Sequence, residues 1–436
     1  MTETLSYIVG VLAVALGIGF SIGLHELGHL MPAKLFGIKV PTYAIGFGPT
    51  LFKKTFGETT YALKLIPLGG YITMIGMYPP AKPGSAEPKG YFGSMITAAR
   101  DAHAKHITPA DANRKFYQLP VAKRLVIMFG GPFMNLVLGT ILLTVALSGI
   151  GVQQRSLTVA EVSSCVIQDP SSHENCLPTD PQSPAIIAGM QPGDKISHID
   201  GHQVKTWNEL GAFLKAGKQI DITVVRGQQS ITLPITPISA LRANQDSAGN
   251  PITGADGSVL LVSKPVLGIS LDFERQPLPV TTSLQQSASA VAQVGNMLVN
   301  LPQQITQTAI ATFSGEARDQ NGAISVVGIG QIAGGVSASE TATFTDKLQS
   351  NLLILASLNF ALFAFNMVPL LPLDGGHIAG GIYEWVKRAI FKVLRKPAPG
   401  PVDTALLMPA TWFVFLALMA MSAVLIIADI VNPIRF

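Results

Sequence analysis

Four long apolar stretches constrain every fold open to this chain. Leu5–Leu24, Leu125–Val152, Leu348–Leu373 and Thr404–Ala428 are free of charge, and each meets the roughly 20 residues a helix needs to cross a bilayer. Lipid offers no partner to backbone N–H and C=O groups, so such stretches must form helices. Charged residues are 13% of the 436, about half the usual share, and mean hydropathy is +0.40. These values exclude an ordinary soluble globular protein. A net charge of +4 is too small to argue for a nucleic-acid partner. The N-terminal run is too long for a cleavable signal and lacks a basic leader, so it is expected to remain as a span.

Loop charge predicts orientation. Between spans one and two lie Lys34, Lys39, Lys53, Lys54, Lys64, Arg100, Arg114, Lys115, Lys123 and Arg124. Between spans three and four lie Lys387, Arg388, Lys392, Arg395 and Lys396. Both segments are expected to be cytoplasmic. The expected order is a first membrane helix at 1–36, a cytoplasmic β-hairpin with a flexible insert at 37–121, and a second membrane helix at 122–153. A β-rich domain at 157–272 and an amphipathic segment at 280–345 follow outside. A third membrane helix at 346–378, a basic cytoplasmic loop at 379–403 and a fourth membrane helix at 404–431 complete the chain.

Within the outer segment, Leu284, Val291, Val294, Leu298, Leu301 and Ile305 recur at helical spacing on a polar stretch. They predict an amphipathic helix, lying either on the membrane or on the β-rich domain. Cys165 and Cys176 fall in the outer domain, where a disulfide between them is chemically allowed. Neither sits in a Cys-x-x-Cys pair, so a thiolate zinc site is not expected. The Pro-, Gly-, Ala- and Lys-rich piece at 79–113 reads as flexible.

The first span ends in His25-Glu26-Leu27-Gly28-His29. Residues four apart share a helix face, so both imidazoles can bind one metal ion, with Glu26 beside it to handle protons. Burying such groups in a membrane helix costs about 2.5–3.5 kcal/mol per acidic or basic side chain, and a bound cation compensates. Neutral imidazole nitrogen suits zinc, and catalytic zinc usually takes three protein ligands. The third span offers Asn366-Met367-Val368-Pro369-Leu370-Leu371-Pro372-Leu373-Asp374-Gly375-Gly376-His377. Its prolines and glycines predict a break in the helix. Asp374 is the best third ligand on these grounds, and His377, one turn later, is its competitor. Pro32, just after His29, should end or bend the first helix.

The ordered motifs resemble the site-2 protease family of intramembrane zinc metalloproteases, in its bacterial form. They are His25–His29, Gly46-Phe47-Gly48-Pro49, Tyr61-Ala62-Leu63-Lys64-Leu65-Ile66-Pro67-Leu68-Gly69-Gly70-Tyr71, Gly131-Pro132-Phe133-Met134-Asn135 and Asn366 through Gly376. The outer domain resembles a PDZ domain at Ala188-Gly189-Met190-Gln191-Pro192-Gly193-Asp194 and Ile199-Asp200-Gly201. Taken singly, Asp194 and its glycines read as turn residues. The resemblance implies a polytopic α-helical membrane protein with four transmembrane helices, a cytoplasmic-side β-hairpin and an inserted extracytoplasmic PDZ-like β-rich domain. It implies zinc on His25, His29 and Asp374, Glu26 as acid and base, and Asn366 and Asn135 holding substrate.

The implied reaction is cleavage of peptide bonds in or near transmembrane segments, that is, regulated intramembrane proteolysis. Single-pass membrane proteins in the lipid bilayer are the expected substrates, with anti-sigma factors and signal-peptide remnants as family examples. A peptide ligand of the PDZ-like domain is allowed, and that domain would screen substrates by size. The glycine-bracketed Tyr61–Ile66 strand is expected to pair with unwound substrate along an edge running from Lys64 and Leu65 to Gly69 and Gly70. An inactive PDZ-bearing scaffold is the alternative, opposed by the presence of Glu26 and Asp374. A zinc transporter is opposed by a fourth span without ionisable groups before Asp429.

Overall fold

The computed structural model describes residues 3–81, 90–104, 107–173, 175–244, 252, 258–316, 318–319 and 322–433. Its elements follow in chain order. Helix α1 (Glu3–Leu35) leads to strands β1 (Thr42–Phe56) and β2 (Thr59–Thr73), then α2 (Gly90–Ala104) and α3 (Val121–Thr144), whose last turns widen up to Ile150. Next come β3 (Val152–Val162), α4 (Pro184–Ile187), β4 (Lys195–Ile199), β5 (His202–Gln203), α5 (Trp207–Phe213), β6 (Ile220–Arg226), β7 (Gln229–Ile235), β8 (Ile238–Ala243), β9 (Leu261–Val266) and β10 (Ile269–Gln276). The chain ends with α6 (Val280–Ser314), α7 (Val326–Ala338), α8 (Phe344–Asn366), α9 (Asp374–Val393) and α10 (Met408–Val431). Two compact units result, 1–150 with 278–436 and 151–277.

In the first unit, Glu3–Leu35, Val121–Ile150, Phe344–Asn366 and Thr404–Val431 are long and apolar enough to cross a membrane. Their outward side chains are large and apolar, among them Leu16, Phe20, Phe133, Ile141, Phe413 and Met419. Leucine and phenylalanine on an outer face suit lipid, so this is a multi-pass membrane protein. Where helices meet, side chains shrink. A Cβ on Gly28 would lie 2.2 Å from Gly130 O, and one on Gly130 would lie 2.0 Å from Gly28 O. Pro32 lacks the N–H that would bond Gly28 O, and α3 packs on the carbonyl so released. The helix does not end at Pro32; it continues to Leu35.

The third span is not one helix over 346–378. It stops at Asn366, and a seven-residue irregular stretch holding Pro369 and Pro372 precedes α9. The basic segment 379–403 is not a loop either, since α9 carries it to Val393. Its exposed Tyr383, Trp385 and Val386 beside Lys387 suit a helix at a polar–apolar boundary. Part of the expected flexible insert is also helical. Helix α2 is tied to the start of the fourth span by an Arg100–Asp403 ion pair and a Phe92–Phe413 ring contact. Residues 82–89 and 105–106 of the insert lie outside the described residues.

Helix α6, about 52 Å long at 1.5 Å per residue, packs on α3, α8 and α10. It begins where Ser283 Oγ meets Ser148 Oγ (2.7 Å) at the end of α3. Near its end, Ala311 O accepts from Asn432 Nδ2, just past α10 (3.3 Å). Helices α3 and α10 both start near α9 and finish at the far face, so α6 crosses that face. The segment 280–345 also holds α7, which packs on α1, α8 and α10. A Cβ on Gly10 of α1 would meet Ser337 and Ala333 of α7, and one on Gly334 would meet Tyr7.

The second unit is β-rich. Its sheet runs β10-β3-β4-β6-β7 with β5 beside β4, and β8 pairs with β9 in a separate hairpin. Its limits are wider than 157–272 because β3 starts at Val152 and β10 runs to Gln276. Inward residues of β4, β6 and β7 fill the core, including Ile196, Ile199, Ile222, Val224 and Ile235. Cys165 and Cys176 are disulfide-bonded. Asp194 serves its turn by accepting from Gln191 N (2.8 Å) and from Arg226 Nε (2.7 Å). The Arg226 guanidinium holds the Asp194 carboxyl below the usual carboxylate range.

Candidate metal centre

His25 and His29 stand one turn apart near the end of α1, as their spacing predicts. The break after α8 brings Asp374, first residue of α9, up to them. His25 Nε2 and His29 Nε2 are 3.2 Å apart, and Asp374 Oδ2 lies 3.2 Å from the first and 3.3 Å from the second. Asp374 Oδ2 is buried and accepts no hydrogen bond among the described residues. A buried acceptor left without a donor is costly unless something else meets it. Zinc with bonds of about 2.0–2.1 Å and tetrahedral angles separates its ligand atoms by about 3.3 Å. The donor set and its spacing therefore fit zinc. His377 is not part of this cluster; its ring lies against Tyr78, with centroids 6.4 Å apart.

The far nitrogen of each imidazole meets α3. His29 Nδ1 donates to Ile127 O (2.7 Å), which turns Nε2 toward Asp374. The ring fits because residue 131 is glycine; a Cβ there would fall 2.2 Å from His29 Nε2. His25 Nδ1 lies 3.2 Å from the Asn135 side-chain amide. The family resemblance implies a substrate role for Asn135; in the fold its amide lies against a histidine. The role of Ile127 O leaves no trace in the sequence except the Gly130-Gly131 pair. Asn366 ends α8, half-buried, at the rim of the break.

Glu26 is buried on the same turn of α1, and Gly70 packs onto it. A Cβ on Gly70 would stand 2.8 Å from Glu26 Cγ and 2.9 Å from Ile22 Cγ2. The small sheet that carries Gly70 is more than the expected hairpin. Thr42–Ile45 pairs with Thr60–Leu63 on one side and with Gly70–Thr73 on the other, while Phe52–Thr55 covers the far side of Thr60–Leu63. Glycines at positive φ, Gly46, Gly48 and Gly69, let each long strand fold back. Lys64 consequently faces Thr50 across the sheet and offers no free edge. The edge beside Glu26 is Gly70–Thr73.

The family model described as Peptidase family M50 matches residues 13–408. Zinc metalloprotease Rip1 of Mycobacterium tuberculosis (strain ATCC 25618 / H37Rv) is 30% identical over 440 residues, spanning 98% of this chain and 99% of its own. Zinc metalloprotease Rip1 of Mycolicibacterium smegmatis is 30% identical over 98% of each chain. Metalloprotease MmpA of Caulobacter vibrioides is 26% identical over 84% of this chain and 83% of its own. Taken with the two imidazoles and the carboxylate converging inside an apolar helical unit, these likenesses show that the chain belongs to peptidase family M50, the site-2 proteases, and is a zinc metalloendopeptidase that acts within membranes.

Proposed function

We propose that His25, His29 and Asp374 hold the zinc and that Glu26 is the catalytic acid and base. The observation that carries this assignment is the buried Asp374 Oδ2, set at tetrahedral spacing from two imidazole nitrogens. When bound, zinc supplies Lewis acidity to a water molecule and to the scissile carbonyl. Glu26 accepts the water's proton and returns it to the leaving amine.

Substrates are single-pass membrane proteins whose spanning helix unwinds at the site. Its carbonyls are otherwise hydrogen-bonded and shielded. Unwound substrate pairs with the edge Gly70–Thr73 by strand addition, a reading supported by the packing of Gly70 against Glu26. Asn366, at the rim of the break, contacts the bound segment.

The end of the unit that holds the cluster faces the cytoplasm, as its concentration of lysine and arginine argues. The β-rich unit, read as PDZ-like, is extracytoplasmic, where its disulfide is stable. A peptide bound by that unit is compatible with this arrangement.

The test is cleavage of a membrane-anchored substrate in detergent. Wild type cuts. Glu26→Gln retains one zinc per chain and loses at least a hundredfold in rate, the lower range for a general base. Cutting by Glu26→Gln at the wild-type rate, or by neither protein, overturns the assignment.

A further inference from the structure

The two imidazoles are held from behind by one helix, but by different groups. Ile127 O receives His29 Nδ1. The Asn135 amide, eight residues further along α3, meets His25 Nδ1. Asn135 is fully buried (0% exposed), and its Oδ1 has no hydrogen-bond partner among the described residues.

A neutral imidazole carries one N–H. When Nε2 faces a cation, the proton sits on Nδ1, and the group behind the ring must accept it. An amide can do so after a half-turn about its last side-chain bond, which exchanges oxygen and nitrogen at nearly the same positions. That turn places Oδ1 against His25 Nδ1–H and gives the orphaned oxygen a donor.

We infer that Asn135 is a positioning residue for His25. Its side-chain oxygen fixes the Nδ1–H tautomer and keeps Nε2 aimed at the metal, as Ile127 O does for His29. The inference rests on the zinc site proposed above, and it replaces a substrate-holding role for Asn135. A backbone carbonyl serves His29, so no substitution can remove that support. His25 depends on a side chain, which makes it the ligand that mutation can loosen.

Asn359 supplies a matched control. It is an equally buried amide, on α8, and it bonds Ser21 Oγ (2.9 Å) rather than a ligand. Zinc affinity is measured by chelator competition on purified full-length protein in detergent, with kcat and KM determined on the same samples. Asn135→Ala should weaken zinc binding about 10–100-fold, the usual cost of losing a partner behind a metal ligand. At saturating zinc its kcat should fall while KM stays unchanged. Asn135→Asp keeps an acceptor and should hold zinc within about threefold of wild type. Asn359→Ala loses the same atoms and should bind zinc as wild type does.

Zinc binding by Asn135→Ala equal to wild type overturns the inference. So does a raised KM with unchanged zinc affinity, the mark of a substrate contact. Loss of zinc by Asn135→Asp, or by Asn359→Ala to the same degree, overturns it too. A wild-type protein without zinc would instead sink the metal assignment itself.

Discussion

Two carboxylates with buried oxygens sit at opposite ends of the helical unit and are treated in opposite ways. Asp429, at the end of α10, is saturated with donors. Its Oδ1 accepts from Arg318 Nη1 (2.7 Å), and its Oδ2 accepts from Ser325 N (2.7 Å), Ser325 Oγ (2.5 Å) and Gly328 N (3.1 Å). Among the described residues, Asp374 Oδ2 accepts from no donor and faces two imidazole nitrogens instead. Both acids interrupt apolar sequence, and each alone would read as functional. The pairing of each oxygen separates them. Where both oxygens accept from donors, the acid ties the start of α7 to α10. Where acceptors converge without donors, the fold has kept room for a cation.

The largest effect expected from this contrast is at Asp374. Asparagine there removes the charge and leaves two histidines, so zinc affinity should fall at least a thousandfold, a modest fraction of the free energy of structural zinc sites. Cleavage should drop to background. Metal analysis and cleavage of a membrane-anchored substrate check this together. Retained zinc and retained cutting would erase the distinction between the two acids. The next effect is at Asp429. Asparagine there leaves the Arg318 guanidinium buried without its counter-charge and should cost about 3–5 kcal/mol of stability. The folded fraction should bind zinc as wild type does. Thermal unfolding in detergent with a parallel zinc titration measures both. Weakened zinc binding in fully folded protein would mean that the two ends are coupled.

The chemistry at the metal end was readable in the sequence because ionisable groups in apolar runs stand out and helical spacing orders them. Those two signals single out His25, Glu26, His29 and Asp374, of which the fold brings His25, His29 and Asp374 together, and the break after Asn366 follows from Pro369 and Pro372. The rest was hidden for identifiable reasons. Ile127 acts through a backbone carbonyl, which every residue has. Helix α2 is held by Asp403 and Phe413, some 300 positions away in sequence, so nothing local distinguishes it from a loop. Helix α9 does not stand out because the lysines and arginines that set orientation suit a connecting loop equally well. Helix α7 is short and holds Gly328, Gly330, Gly334 and Gly335, so it does not stand apart within the amphipathic segment 280–345 until the neighbours its glycines admit are seen. The sheet was foreseen as a hairpin, but its folded-back register depends on bends that pair residues across the whole segment. That register pairs Lys64 with Thr50 and leaves Gly70–Thr73 as the edge beside Glu26.

The smallest predicted effect uses that edge to sharpen the contrast further. If the metal end is built for approach and the Asp429 end for closure, one methyl group should matter at the first. Gly70→Ala puts a carbon within about 3 Å of Glu26, Ile22 and the Ala44 carbonyl. The backbone carbonyl cannot yield as a side chain can, so Glu26 and the strand edge must shift. Displacements near 1 Å at a catalytic group cost up to about a hundredfold, and a loss of about tenfold in kcat is expected for this partial one. Zinc affinity should stay at the wild-type value, because the three atoms nearest to the added carbon belong to none of the three ligands. Gly19→Ala, on the same helix as Glu26 with open space around it, should leave turnover unchanged. Equal rates for Gly70→Ala and Gly19→Ala would show that Glu26 has slack at this position and that the strand edge does not set its place.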